Sequence, residues 1–228
     1  MDETINSESY HIMPNRDYQQ ERRDYDAPGL SKTQLKTSPF VQFTSWMDDA
    51  LASPNKDATA MSVATVDPSG QPHNRIVLLK EADTRGFVFY THYDSAKGHE
   101  IIGNQKASLL FFWPELERQV RIEGILDKVS LEESQAYFAS RPRDSQIAAL
   151  SSIQSQEVAS RQVLEETFAS NKALYADHPI PHPEHWGGYR LVPSKFEFWQ
   201  GRPNRLHDRF IYLPDANKQD WSIARLSP

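Results

Sequence analysis

Between residues 59 and 91, apolar and polar positions come in short strand-length runs separated by turn residues. Residues 60–66 read as a strand, Asp67-Pro68-Ser69-Gly70 as a turn, 75–80 as a second strand, 81–86 as another turn and 87–91 as a third strand. Upstream, Ser38-Pro39 looks like a helix cap followed by proline at the first helical position. Phe40, Phe43, Met47, Ala50 and Leu51 then keep helical spacing to about residue 53. Ser95 opens a short helix, with Ile101 and Ile102 as its expected buried side and Asn104 as its end. Residues 107–113 and 118–124 read as a hairpin around Pro114-Glu115-Leu116-Glu117. After Ser130 the period turns helical. Ser130-Leu131-Glu132-Glu133 resembles a capping box, a further helical piece carries Ile147 and Leu150, and a last helix is expected over about 157–175. Trp186-Gly187-Gly188 returns the chain to strand, and 221–226 forms the final one. An antiparallel meander with helices between strands predicts a mainly β, α+β fold.

Residues 196–212 carry the most unusual pattern. Phe196, Phe198, Phe210 and Tyr212 alternate at the strand period, broken at Gly201-Arg202-Pro203-Asn204. Arg205, His207 and Arg209 also recur at period two, so a regular strand puts them on one face. Such a face suits a phosphate-bearing ligand, because arginine offers phosphate a two-pronged fork, or it is simply a solvated strand face. Arg75 and Lys80 differ by five and are expected on opposite sides of their strand, one bound inside and the other at an edge, or both ending the strand in water. Ser95 and Lys97 at a helix start form a plausible phosphate cradle.

Composition narrows the classes. The chain of 228 residues has a net charge of −6, which removes the global basic footprint of a nucleic-acid binder and makes any anion site local. With no cysteine there are no disulfides or thiolate metal sites, as suits a reducing compartment. No apolar run approaches the roughly 20 residues that span a bilayer, and the acidic start is unlike a leader, so a cytoplasmic protein is expected. His178, His182 and His185 lie in a Pro-rich stretch without a carboxylate pattern and are read as surface residues; no metal is expected. Residues 1–20 are polar and aperiodic, a mobile N-terminal arm.

Five stretches together resemble one family. Arg75-Ile76-Val77-Leu78-Leu79-Lys80, Glu117-Arg118-Gln119-Val120, Ser140-Arg141-Pro142-Arg143-Asp144-Ser145-Gln146, Trp186-Gly187-Gly188, and Glu197-Phe198-Trp199-Gln200-Gly201 with Arg205-Leu206-His207-Asp208-Arg209 are similar to the pyridoxamine 5′-phosphate oxidases. The resemblance covers roughly residues 20–228. It implies an FMN-binding split β-barrel over 21–228, with a helical segment at about 131–176 inserted between strands and FMN at a homodimer interface. It also implies oxidation of pyridoxamine or pyridoxine 5′-phosphate to pyridoxal 5′-phosphate, with O2 as acceptor and H2O2 as product. No nucleic-acid or membrane partner is expected. A non-catalytic flavin or pyridoxal-phosphate binder is the alternative, since split barrels also serve as binding modules.

By the same resemblance, Arg75, Ile76, Val77, Leu78, Leu79, Lys80, Tyr90, Thr91, Lys97, Gln119, Gln154, Ser155, Trp199 and Arg209 bind FMN. Lys80, Tyr137, Arg141 and Ser145 bind the substrate phosphate. Arg205, Leu206 and His207 close over the substrate ring, with Arg205 and His207 as the catalytic pair. Arg22, Arg23, Asp24 and Tyr25 form an arm that covers the site. Two positions depart from the pattern: Ala96 stands where the family usually has arginine, and Leu150 where it often has tryptophan. Loss of the arginine implies weaker FMN retention, and Ala96→Arg is expected to lower the FMN dissociation constant.

Overall fold

A computed structural model describes residues 17–217 and 220–228. Most of the expected arm, residues 1–16, lies outside the described residues. The strands are β1 (Ala60–Val66), β2 (Pro72–Leu78), β3 (Glu81–Asp83), β4 (Gly86–His92), β5 (Lys106–Trp113), β6 (Arg118–Lys128), β7 (Trp186–Gln200), β8 (Asp208–Pro214) and β9 (Trp221–Leu226). They form one nine-stranded sheet in the order β2-β1-β5-β6-β7-β4-β3, with β8 paired to β7 and β9 paired to β8. All pairings are antiparallel. The helices are α1 (Pro39–Ala52), α2 (Ala96–Gly103), α3 (Leu131–Ser140), α4 (Arg143–Ser151) and α5 (Arg161–Leu174), the last three between β6 and β7.

The sheet curls around an aromatic core. Phe43, Trp46, Met47 and Ala50 of α1 recur at helical spacing and are all buried. Phe43 meets Phe87 edge-on at 4.8 Å and Phe111 at 5.0 Å, and Trp46 meets Phe198 at 5.3 Å. Edge-to-face contacts of this kind add about 0.5–1.5 kcal/mol per pair beyond area burial. Phe196, Phe198, Phe210 and Tyr212 are fully buried, as their alternation predicts, and Phe196↔Tyr212 and Phe198↔Phe210 are cross-strand partners.

β7 is the longest strand and changes partner midway. Trp186 to Leu191 pair with β4, whereas Phe196 to Gln200 pair with β8. β6 runs along its other edge and shifts register between Glu123 and Gly124. Gly124 is required there, since a Cβ would lie 2.2 Å from the Val192 carbonyl oxygen.

Several expectations change. β2 runs from Pro72 to Leu78 rather than over 75–80. The next residues leave the strand: Leu79 N bonds the Thr59 carbonyl at 2.9 Å and Lys80 N the Val88 carbonyl at 2.8 Å. The chain thus crosses from the β1 edge to β4. Of the two isoleucines of α2 only Ile101 is buried, while Ile102, about 100° further round the helix, is 67% exposed. α5 begins at Arg161, where Ser160 caps it by accepting from Val163 N. The capping box at Ser130 and Glu133 is present.

Candidate active site

A cleft of about 620 Å³ opens between β2, β4, the start of α2 and the helices that follow β6. Arg75, Ile76, Val77, Leu78, Lys80, Tyr90, Thr91, Lys97, Tyr137, Arg141, Gln154 and Ser155, all expected from the sequence, line it. Arg75 and Lys80 therefore share a cleft, not opposite faces. The strand ends at Leu78, so the five-residue spacing no longer fixes sidedness. Leu79 turns inward and joins the core, 8% exposed. Ser145 lies in the first turn of α4, outside the lining.

Lys97 is the most constrained cation. It is 7% exposed, and its Nζ donates to Gln154 Oε1 at 2.7 Å, Thr91 Oγ1 at 3.1 Å and Ser95 Oγ at 3.1 Å. All of these acceptors are neutral. Burial, then the neighbouring Arg75, lower its pKa to about 8, against which Glu100 pulls weakly. Arg75 is neutralised within the protein: its Nη2 meets Glu100 at 2.9 Å and its Nη1 donates to the Val63 carbonyl at 3.1 Å. Burial pushes Glu100 up, but hydrogen bonds from Thr65 and Arg75 outweigh it and hold the carboxyl below its usual range.

The opposite wall is aromatic. Tyr90 stacks on Tyr137 at 3.8 Å and on Trp186 at 5.4 Å, and the Arg141 guanidinium lies 4.7 Å from the Trp186 ring centre. Burial lowers the pKa of Arg141, and its Nη1 is buried without a hydrogen-bond partner. A guanidinium in this state is incomplete without an acceptor. Gly187 and Gly188 let the wall close: a Cβ on Gly187 would lie 2.1 Å from the Tyr93 hydroxyl, and one on Gly188 2.9 Å from Tyr90 Cε1. They sit at the start of β7, where the sequence places the return to strand.

The remaining expected residues gather elsewhere. Gln119, Trp199 and Arg209 form one cross-strand row, since Gln119 pairs with Trp199 and Trp199 with Arg209. Arg209 is held by Glu197 at 2.8 Å, which raises its pKa, and its Nη1 donates to the Ser227 carbonyl. Arg205, His207 and Arg209 do not share a strand face. Arg205 ends a 3₁₀ turn (Pro203–Arg205) and β8 starts only at Asp208. Asn204 and Arg205 both take left-handed backbone, φ 57 and 61, which breaks the period-two pattern. Arg205 and Leu206 are exposed.

Tyr25 packs edge-on against Trp199 at 5.6 Å and His207 at 5.4 Å. Its segment is fastened at several points. The buried Glu117 carboxylate accepts from Asp26 N and Ala27 N, both at 3.0 Å, and from Arg23 at 3.3 Å. Arg202 donates to the Ala27 carbonyl at 2.6 Å, and Asp208 accepts from Leu30 N at 2.9 Å. Arg22 and Asp24 are exposed. His207 Nδ1 accepts from Arg202 N at 3.1 Å. The neutral ring therefore carries its proton on Nε2, a donor and not a base. Burial, then Arg205, lower its pKa and favour that neutral form.

Residues missed from the sequence are His92, Ala148, Ala149, Ser152 and Trp186, which also line the cleft. Only Trp186 carried a signal, beside the paired glycines. His182 and His185 are half-buried rather than on the surface: His182 packs edge-on to Phe138 and Trp186, and His185 stacks on His92. No described helix is long and apolar enough to cross a membrane.

The sequence profile described as pyridoxamine 5′-phosphate oxidase matches residues 47–174, and that of the pyridoxine 5′-phosphate oxidase C-terminal dimerisation region matches 186–228. The chain is 58% identical over 217 residues to pyridoxine/pyridoxamine 5′-phosphate oxidase 1 of Hydrogenovibrio crunogenus, covering 95% of this chain and 100% of that protein. The chain belongs to the pyridoxine/pyridoxamine 5′-phosphate oxidase family. A Bordetella petrii protein of the same family is 55% identical, with 91% of this chain and 97% of that one covered. Among solved structures, PhzG from Burkholderia lata 383, in complex with tetrahydrophenazine-1-carboxylic acid, superposes with a TM-score of 0.83 at 28% identity, over 90% of this chain and 100% of that one. Family membership fixes the enzyme class, an FMN-dependent oxidase of pyridoxamine and pyridoxine 5′-phosphates with a split-barrel fold. The segment from β7 onward is the family's dimerisation region, and the protein acts as a homodimer.

Proposed function

We propose that the two groups of residues are halves of one active site contributed by different protomers. In this reading residues 21–228 form one flavin-binding unit. The cleft holds the FMN phosphate at Lys97 and Arg75, and the substrate phosphate at Arg141, Lys80 and Tyr137, with Ser145 nearby. Gln119, Trp199 and Arg209, and the closing group Arg205, Leu206 and His207 with the Arg22–Tyr25 arm, come from the second copy. The observation that carries the reading is Lys97: a buried ammonium with only neutral acceptors, in an acidic protein, is stable when an anion reaches it. The unpartnered Arg141 Nη1 in the same cleft fits a second phosphate.

Bound FMN supplies the acceptor for the hydride equivalent leaving C4′ of the substrate, and O2 takes up the electrons as H2O2. The protein's share is placement. Tyr90, Tyr137 and Trp186 wall the cleft, the cations fix both phosphates, and His207 donates from Nε2 to a substrate oxygen or nitrogen. Residence in the cytoplasm belongs to the same proposal and rests on the chain's lack of cysteine.

The test is anaerobic addition of pyridoxamine 5′-phosphate to the purified flavoprotein. The flavin absorbance is expected to bleach and to return on admitting air, with pyridoxal 5′-phosphate formed. Bound flavin that stays oxidised would point to a non-catalytic binder.

A further inference from the structure

His92 ends β4 opposite Trp186 and lines the cleft. It is 7% exposed, and its Nδ1 is buried without a hydrogen-bond partner. Its ring stacks on His185 at 5.3 Å. Its backbone is tied to the start of α2, because Ser95 Oγ donates to the His92 carbonyl at 2.7 Å. The same hydroxyl accepts from Lys97 Nζ at 3.1 Å and from Gly98 N at 3.4 Å. His92 thus lines one cleft with Lys97 and with Ala96, whose methyl group offers an anion nothing, and its backbone is joined to the helix start that carries both.

We propose that His92 is a ligand-binding residue of the phosphate cradle, replacing the charge absent at Ala96 by taking up a proton when the cofactor phosphate enters. The inference rests on the cleft being the FMN site. In the free protein every surrounding influence but one opposes protonation. Burial is the largest; His185 ahead of β7, Lys97 on α2 and Arg141 after α3 add to it, while Asp94 in the β4–α2 turn opposes them, and the pKa falls to about 4. A phosphate monoester brings close to two negative charges at neutral pH. Placed at the start of α2, it offsets the cations and gives the ring an acceptor, so the charged form becomes the favoured one. Phosphate affinity must then rise as pH falls, since the bound state holds a proton that the free state lacks.

The experiment is FMN titration of the flavin-stripped dimer by quenching of flavin fluorescence at pH 6.5, 7.5 and 8.5. Wild type is compared with His92→Gln and His92→Asn, and calorimetry in two buffers of different ionisation heat measures proton uptake. Riboflavin, which lacks the phosphate, is the control for folding and ring binding. Wild type is expected to bind FMN about tenfold more tightly at the lowest pH than at the highest, below the roughly hundredfold that uptake of one full proton gives over two pH units. Both variants are expected to keep only the shallower slope and smaller proton uptake that Lys97 gives, with riboflavin binding unchanged. Lys97 titrates in the same range in all these proteins, so the difference between them reports His92. Equal slopes and equal proton uptake in wild type and variants overturn the inference while leaving the cleft assignment standing. If Lys97→Met also binds FMN as wild type does, the cleft is not the phosphate site and both fall.

Discussion

Lys97 carries a charge that the unliganded fold disfavours, and this has a pH signature. Its folded pKa of about 8 lies below the unfolded value of 10.5, so between these values the unfolded chain binds more protons than the folded one. Stability of the flavin-free protein must therefore rise with pH across that window, and the destabilisation is fully present below it. Lys97→Met is expected to abolish the rise and to stabilise the flavin-free protein at pH 7 by about 1–3 kcal/mol, as replacement of buried charge by apolar volume commonly does. The same variant loses FMN. Urea unfolding at pH 7 and pH 10 measures the first effect and flavin fluorescence the second; parallel stability curves for variant and wild type would refute the account. Gly187→Ala tests the aromatic wall. Its methyl group would lie 2.1 Å from the Tyr93 hydroxyl and 2.9 Å from Ser134 Oγ, so a loss of about 1–3 kcal/mol is expected in thermal unfolding. At this scale the sequence was informative where motifs were dense. The residues of 75–78, 90–91, 97, 137 and 141 were singled out together and the fold brings them together. Leu79 was not separable from its neighbours, because only the end of β2 turns it inward. His92 left no sequence signal at all, because its setting depends on β7, the turn into α2 and the end of α3 at once.

At the scale of elements, short-range patterns were legible and interruptions were not. Alternation gave the β7–β8 hairpin and its buried aromatics. It could not show that Asn204 and Arg205 leave the strand through left-handed backbone, so the supposed row of Arg205, His207 and Arg209 dissolves. The arm of Arg22 to Tyr25 came only from the family resemblance, and the fastening of the strap from Arg23 to Leu30 left no local pattern, since its anchors lie roughly ninety or more residues away at Glu117, Arg202 and Asp208. Glu117 is the deepest of these anchors, 5% exposed. Glu117→Ala removes the acceptor for two backbone N–H groups and for Arg23. The expected result is a loosened strap, with easier proteolysis near Tyr25 and a stability loss of about 1–3 kcal/mol. Glu117→Gln keeps an oxygen for the backbone donors and should recover part of the loss; cleavage rates alike in wild type and both variants would contradict the anchoring role.

At the scale of the molecule, the cleft and the Trp199 group sit at opposite ends of β7. Trp186 lines the first and Trp199 belongs to the second, thirteen residues further along the strand. At about 3.3 Å per residue the strand separates them by roughly 40 Å, less whatever the curl removes. No sequence pattern exposes this division, because motifs report identity and not which copy of the chain supplies them. The proposed shared site makes a sharp prediction for mixed dimers. Arg141→Ala and His207→Ala are each expected to lose most activity. Co-assembled in equal amounts, they should regain about a quarter of the wild-type rate, since half of the dimers are mixed and one of the two sites in each escapes both substitutions. A site built within one protomer would regain nothing.

The partner change within β7 has a consequence for how such a protein can diversify. Trp186 to Leu191 are laddered to β4 and Phe196 to Gln200 to β8, with four residues between that pair with neither. A recombination crossover falling in that gap leaves both ladders whole. It joins the cleft, Gln119 and the strap of one parent to the Trp199–Arg209 stretch of another, and two-fold pairing then sets the new combination into every site. Gene shuffling at this seam can therefore vary that stretch over an unchanged cleft, with only its ladder to β6 mixing the two parents.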